Sequence, residues 1–128
     1  MIVVAAGGGG IPVIKEDGKL IGVDAVIDKD FTSAKVAELV GADILVILTA
    51  VEKVAIHFGE ENQEWLGHLS VEEAEKYLAD GEFAEGSMKP KVEAALSFVK
   101  SKDGAKALIT SLEKALDGLK GETGTYIG

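Results

Sequence analysis

The feature that most limits the fold of this chain is a series of short apolar segments separated by helical patterns. Ile2–Ala6 and Ile44–Leu48 are apolar at every position, and Ala105–Thr110 is apolar at most positions. Strands without polar alternation are typical of parallel sheets that are buried on both faces. Because amphipathic helices alternate with these segments, the sequence predicts an α/β fold, a three-layer αβα sandwich with a mostly parallel central sheet.

Helix start signals support the alternation. Phe31–Val40 has apolar residues along one side, and Ser70 begins a capping box with Glu73. Pro90 stands where the first residue of a third helix is expected. A last helix is expected over Ser111–Leu119, with the serine as its cap.

Turn signals complete the outline of the chain. Asp17-Gly18 is a strong hairpin signal, so residues 11–23 are expected to form a hairpin excursion. Val54–Phe58 is a weaker strand candidate, and Thr125–Ile127 could close the sheet. With no repeat or long linker, we expect a single domain over residues 1–128, with a small subdomain near residues 54–81.

Composition narrows the classes of function. The formal net charge is −9, and all 13 basic residues are lysines because the sequence contains no arginine. An acidic chain is a poor partner for nucleic acid, and phosphate binding must rely on lysines, backbone amides and a metal. The sequence has no cysteine and no apolar run near the roughly 18 residues of a membrane span, so we expect a cytoplasmic protein without a membrane partner.

The glycine run Gly7, Gly8, Gly9 and Gly10 follows the first predicted strand. Ligands of such sheets bind beyond the carboxyl ends of the strands. Consecutive glycines allow close backbone approach to a ligand, but they also suit a bare tight turn. The sequence leaves both interpretations open.

Asp28, Lys29 and Asp30 open the first predicted helix. In one interpretation Asp30 caps the helix and Lys29 is solvated. In the other, Lys29 contacts a transferring phosphoryl group, and a neighbouring aspartate holds its ammonium group in position.

The segment Gly86–Lys91 is a stronger candidate for a site. A glycine and a serine precede a helix that starts with proline, so unpaired amide hydrogens and the positive end of the helix dipole are expected to face the loop. Lys91 lies within the first turn, where a lysine is unfavourable for the dipole, which suggests a functional role.

Five motifs in order resemble the amino acid kinase family, and the carbamate kinases in particular. They run across nearly the whole chain, at Gly7–Val13, Val26–Asp30, Ile47–Glu52, Phe83–Ala95 and Ile109–Glu113. The resemblance covers only the C-terminal, nucleotide-binding half of a carbamate kinase. It implies reversible phosphoryl transfer between ATP and carbamate, with Mg²⁺ accompanying ATP or ADP.

The resemblance also implies roles for individual residues. Lys29 and Lys91 would contact the phosphoryl group from two sides, Asp30 would orient the lysines, and Asp28 would support Asp30. The nucleotide pocket would be formed by Asp28, Thr49, Ala50, Val51, Ser87, Met88 and Lys91. The glycines Gly7 to Gly10 would face the small substrate, and no metal ligand within the protein is directly implied.

A complete carbamate kinase has an N-terminal half that this sequence lacks, so we expect the isolated chain to be inactive. The open alternatives are a non-catalytic nucleotide-binding module and a fragment without independent activity. The first strand would also have an exposed edge, which favours a homodimer or aggregation. His57 and His68 are expected on the surface or in hydrogen bonds, and Trp65 is expected to be a packing residue.

Overall fold

The computed structural model describes residues 1–5 and 7–128 of the chain. The strands in chain order are β1 (Val13–Glu16), β2 (Lys19–Gly22), β3 (Ile44–Thr49), β4 (Val54–Ile56), β5 (Glu64–Leu66), β6 (His68–Leu69), β7 (Lys106–Ser111) and β8 (Thr125–Ile127). The α-helices are α1 (Lys29–Leu39), α2 (Val71–Asp80), α3 (Met88–Ser101) and α4 (Ala115–Leu119). The fold is therefore α/β, with helices and strands interspersed along the chain.

The central sheet has four strands in the order β3-β7-β8-β6 and is mixed. β3 and β7 are parallel over their whole length, whereas β8 is antiparallel to β7 and parallel to β6. The expectation of a mostly parallel sheet is therefore not confirmed. After α4 the chain turns back and places β8 beside β7 from the opposite direction, a return that the apolar pattern of Thr125–Ile127 does not specify.

Helices pack on the sheet with their small and apolar residues. α1 packs along α3, and α3 packs on β7. On the opposite face α4 lies so close to β7 that a Cβ atom at Gly118 would be 2.9 Å from Leu108 Cδ2. The largest fully buried residues are Phe98, Leu69, Leu108, Ile109, Ile127, Val54, Val92, Thr110 and Thr125. Across the described residues, none of the helices has the length and apolar character needed to cross a bilayer.

The helix termini agree with the sequence in part. The capping box of α2 is present, and the backbone and hydroxyl hydrogen bonds with Ser70 lower the pKa of Glu73. Pro90 is the third residue of α3 rather than the first, because the helix begins at Met88. Ser111 leads into a short 3₁₀ helix, Leu112–Lys114, without a side-chain cap bond.

Two small antiparallel ladders lie outside the central sheet. β1 and β2 pair around Asp17-Gly18, where both residues have positive φ. β4 pairs with β5, and the strand ends at Ile56 rather than at Phe58. The sequence did not predict β5 or β6, since the segment around them is rich in glutamate.

The prediction of a first strand over Ile2–Ala6 is wrong for the residues that the structure describes, 2–5. Residues 2–5 belong to no strand, and Ile2 and Val4 are both 95% exposed; Ala6 lies outside the described residues. An apolar run becomes a strand only when a neighbour accepts its hydrogen bonds. Among the described residues β3 consequently forms an edge of the sheet.

Val4→Ser tests this difference between the pattern and the structure. Because Val4 is 95% exposed, we expect the free energy of unfolding to change by less than about 0.5 kcal/mol in urea denaturation. A buried strand valine would lose about 1.5–3 kcal/mol of burial energy. A loss of that size would show that the segment is buried.

Candidate functional site

The N-termini of α1 and α3 meet at a partly buried ion pair. Lys91 Nζ lies 2.8 Å from Asp30 Oδ2, and the two side chains are 14% and 10% exposed. Lys91 is in the fourth position of α3, and Asp30 is in the second position of α1. The positive ends of both helix dipoles therefore converge near the Asp30 carboxylate. The negative charge of this carboxylate offsets both helix ends and the charge of Lys91.

Lys29 adds a second cation to this carboxylate. Its Nζ lies 3.9 Å from Asp30 Oδ2, and its side chain is 66% exposed. The Asp30 amide donates a hydrogen bond of 2.7 Å to Asp28 Oδ1, so Asp28 is the cap of α1. The interpretation in which Asp30 caps the helix is therefore wrong, and the Asp30 carboxylate instead lies between two ammonium groups.

The glycine run lies against the first turn of α1. Gly7 and Gly8 line a cleft of about 320 Å³ together with Lys29, Asp30 and residues of β3; we call it the glycine-loop cleft. A Cβ atom at Gly9 would be 1.6 Å from the Ile27 carbonyl oxygen, so a side chain does not fit there. The Gly10 amide donates to Thr32 Oγ1 at 2.8 Å. The structure thus places Gly7 and Gly8 beside Lys29 and Asp30, at the start of α1.

A second cleft lies beyond the carboxyl end of β3. It measures about 260 Å³ and is bordered by mostly apolar residues; we call it the apolar cleft. Its lining comprises Thr49, Ala50, Val51, Lys53, Ala55, Phe58, Trp65, Glu82, Phe83, Ala84, Ser87 and Met88. The resemblance implies seven residues of a nucleotide pocket, and five of them line this cleft: Thr49, Ala50, Val51, Ser87 and Met88. Asp28 and Lys91 are not among its lining residues.

The two clefts share the same end of the central sheet. Leu48 lines the glycine-loop cleft, and Thr49 lines the apolar cleft. Ser87 and Met88 of the apolar cleft begin α3, the helix that carries Lys91. The Asp30–Lys91 pair therefore joins the helix that borders one cleft to the helix that borders the other.

One detail of the predicted anion site differs in the structure. The amides of Ser87 and Lys89 donate to the Ala84 carbonyl oxygen at 3.1 and 3.0 Å. These two amide hydrogens are bonded within the turn, so the prediction that they are unpaired is wrong. An anion at this end of α3 would therefore not receive hydrogen bonds from these two amides.

Comparison with known proteins assigns the chain to a family. The model of the amino acid kinase family matches residues 1–111. The chain belongs to the amino acid kinase family.

Individual relatives place this amino acid kinase chain among carbamate kinase homologues. It is 59% identical over 126 residues to the carbamate kinase-like protein YqeA of Escherichia coli, covering 98% of this chain and 41% of that protein. It is 53% identical over 127 residues to a carbamate kinase of Pyrococcus horikoshii, covering 99% of this chain and 40% of that protein. The chain thus spans about 40% of the length of these relatives.

Solved structures share the fold. The carbamate kinase of Giardia lamblia bound to AMP-PNP superposes with a TM-score of 0.84 at 41% identity, over 93% of this chain and 37% of that one. A structure from Aeropyrum pernix has a TM-score of 0.81 at 46% identity, over 92% and 38% of the two chains. The α/β fold with its mixed sheet is therefore that of carbamate kinase structures.

Several residues of the apolar cleft of this amino acid kinase chain were missed by the sequence analysis. Trp65 was expected to be a packing residue, yet it is 49% exposed and lines the cleft with Phe58. Glu82 lines the same cleft and accepts a hydrogen bond from the His57 amide. The sequence contains no spacing signal for these residues, because they reach the cleft from a loop and a short ladder.

Proposed function

We propose that this chain is the C-terminal, nucleotide-binding half of a carbamate kinase, which transfers a phosphoryl group between ATP and carbamate. The observation that carries the proposal is the cluster of Lys29, Asp30 and Lys91. Lys29 and Asp30 line the glycine-loop cleft, and Lys91 belongs to the helix whose start lines the apolar cleft. The names of the relatives and the AMP-PNP complex of the Giardia lamblia enzyme support it. We further propose that the chain acts in the cytoplasm without a membrane partner. The acidic net charge supports the proposal that nucleic acid is not a partner either.

The nucleotide is proposed to occupy the apolar cleft. A flat base suits a cleft with Phe58 and Trp65 on one wall and Met88 on another. The phosphates would then extend along the start of α3 toward Lys91, with Asp28, Thr49 to Val51, and Ser87 around them. Carbamate, which is much smaller, is proposed to bind beside Gly7 to Gly10 in the glycine-loop cleft.

The proposed reaction needs positioned positive charge rather than a covalent intermediate. A carboxylate oxygen of carbamate forms a bond to the γ-phosphorus of ATP while the bond to the β-phosphate oxygen breaks, so ADP and carbamoyl phosphate leave without a net proton transfer. Lys29 and Lys91 stabilise the charge on the phosphoryl oxygens. Asp30 accepts a hydrogen bond from the Lys91 ammonium group and so holds it in place.

The residues present fit a Mg²⁺ ion that arrives with the nucleotide. In residues 1–5 and 7–128 no cluster of three or more histidine, aspartate or glutamate side chains could hold a metal ion. One carboxylate oxygen of Asp28 accepts a hydrogen bond from the Asp30 amide. One carboxylate oxygen of Asp30 accepts a hydrogen bond from Lys91. The phosphate oxygens and water would therefore supply most ligands, and the ion would neutralise phosphate charge.

A non-catalytic nucleotide-binding module is the second candidate. The observation that favours it is the apolar cleft, because nucleotide binding there does not require the lysines beside Asp30 to act in catalysis. Both candidates use the apolar cleft. The two candidates differ in one expected result. If the chain is half of a carbamate kinase, joining it to the remaining part of such an enzyme should give phosphoryl transfer; if it is a non-catalytic module, it should not.

Calorimetric titration of the purified chain with MgADP tests the proposed nucleotide site. We expect saturable one-to-one binding that weakens at least about tenfold in Lys91→Ala, because a charged hydrogen bond to phosphate is lost. Lys100→Ala, in the last turn of the same helix, removes an equal charge and should leave binding unchanged. No binding by a folded wild-type chain would contradict a preformed nucleotide site.

A further inference from the structure

The aromatic wall of the apolar cleft stands on a small ladder. Phe58 and Trp65 make an edge-to-face contact, with ring centroids 6.1 Å apart and an interplanar angle of 78°. Trp65 lies on β5, and Phe58 follows β4 by two residues. A two-stranded ladder is marginally stable by itself. The position of the aromatic wall therefore depends on what ties the ladder to the rest of the chain.

One end of the ladder is tied to the central sheet. The Val54 amide donates to Thr125 Oγ1 at 2.8 Å, and the same hydroxyl donates to the Leu66 carbonyl oxygen. Val54 and Leu66 are paired with each other in the ladder. This anchor fixes the start of β4 and the end of β5, which is the end away from Phe58.

Glu82 ties the other end. Glu82 Oε2 accepts a hydrogen bond of 2.9 Å from the His57 amide and lies 3.3 Å from His57 Nδ1. His57 has φ of +51°, an uncommon conformation for a residue with a side chain, and Phe58 follows it directly. The single carboxylate oxygen thus holds the residue that orients Phe58.

The backbone of Glu82 is itself fixed. Its amide donates to the Tyr77 carbonyl oxygen at 3.1 Å, at the end of α2 after Gly81. The next residue, Phe83, is buried and packs edge-to-face against Tyr77 at 6.4 Å. Glu82 can therefore act as a rigid support between α2 and the ladder.

We propose that Glu82 is a positioning residue for the nucleotide cleft: through the His57 amide it holds Phe58 and Trp65 where a nucleobase stacks. This inference rests on the proposed nucleotide-binding function. It adds that Glu82 affects binding of the base by fixing the positions of Phe58 and Trp65. The role depends on the position of the carboxylate oxygen. The negative charge of Glu82 is secondary, because the His57 amide needs only an acceptor at that point.

Two conservative variants separate geometry from charge. Glu82→Gln keeps an acceptor oxygen at the same reach and removes the charge, whereas Glu82→Asp keeps the charge and withdraws the oxygen by one methylene. We expect Glu82→Asp and Glu82→Ala to weaken MgADP binding about tenfold and Glu82→Gln to stay within about threefold of wild type. The reverse order for Asp and Gln would overturn the proposal.

Trp65 provides a readout that does not need the nucleotide. It is the single tryptophan of the chain, so its fluorescence reports on the aromatic wall. In the free chain, Glu82→Asp and Glu82→Ala should increase quenching of Trp65 by acrylamide, and Glu82→Gln should not. Glu61→Ala, which removes an equal charge from the exposed loop between β4 and β5, serves as the control.

The two readouts distinguish failure of this inference from failure of the proposed function. If the wild-type chain does not bind MgADP, the nucleotide-binding function fails for this chain, and the quenching series still decides whether Glu82 positions the wall. If wild type binds but all three variants at position 82 bind and quench alike, the positioning role is overturned. If Glu82→Ala does not fold, the comparison of Asp with Gln decides.

Discussion

Replacing Lys91 by alanine is expected to lower kcat/KM for phosphoryl transfer by about 10²–10³-fold, which corresponds to about 3–4 kcal/mol of transition-state stabilisation. The proposed site has no arginine to share the charge, since the sequence contains none. Lys29 is 66% exposed, so it can reorient toward solvent, whereas Lys91 is held by Asp30. The loss of Lys91 should therefore be the most costly single change at the site.

A chimeric enzyme makes this measurement possible. The carbamate kinase of Staphylococcus haemolyticus is 56% identical to this chain over 126 residues, which are 41% of that protein. This chain would replace the matching segment, and ATP formation from carbamoyl phosphate and ADP would be followed. Lys100→Ala in the same chimera is the control, because Lys100 pairs with Glu75 at the other end of α3. Wild-type turnover by Lys91→Ala would contradict the proposed role of the lysine.

The sequence predicts the parts of this fold that depend on local chemistry. The Ser70–Glu73 capping box, the helix that it starts, and the strands at Ile44 and Ala107 all follow from residue type and spacing. The five residues of the apolar cleft near β3 and α3 were assigned to a nucleotide pocket by the resemblance to the carbamate kinases and not by a local pattern. Local signals were therefore sufficient for these helices and strands but did not by themselves identify the site.

The parts that the sequence did not predict depend on contacts between distant segments. Ile2–Ala6 has the pattern of a buried strand, but no pattern specifies which neighbour a strand pairs with. The direction of β8 is likewise set by how the chain turns after α4. Trp65 lies on the β4–β5 ladder, and Glu82 follows the end of α2. The two residues are 17 positions apart in the sequence, and only the folded chain brings them to the same cleft.

Asparagine in place of Asp30 is expected to lower the free energy of unfolding of the isolated chain by about 3 kcal/mol. The substitution keeps the shape of the side chain but leaves Lys91, which is 14% exposed, near the positive ends of two helices without its counter-ion. Lys91→Met should cost less than about 1 kcal/mol, because Asp30 then remains at a helix N-terminus where a negative charge is favourable. Urea denaturation with a constant m-value provides both numbers.

The double variant Asp30→Asn/Lys91→Met decides whether the cost arises from the uncompensated lysine. If it does, the double variant should be more stable than Asp30→Asn alone, because the charge that lost its partner is gone as well. Additive losses would show that each residue stabilises the fold separately, and an unchanged stability in Asp30→Asn would show that Lys91 is well solvated. A lysine that costs stability without Asp30 and adds little with it would not be explained by the stability of the fold, which would support the proposed role of its charge in phosphoryl transfer.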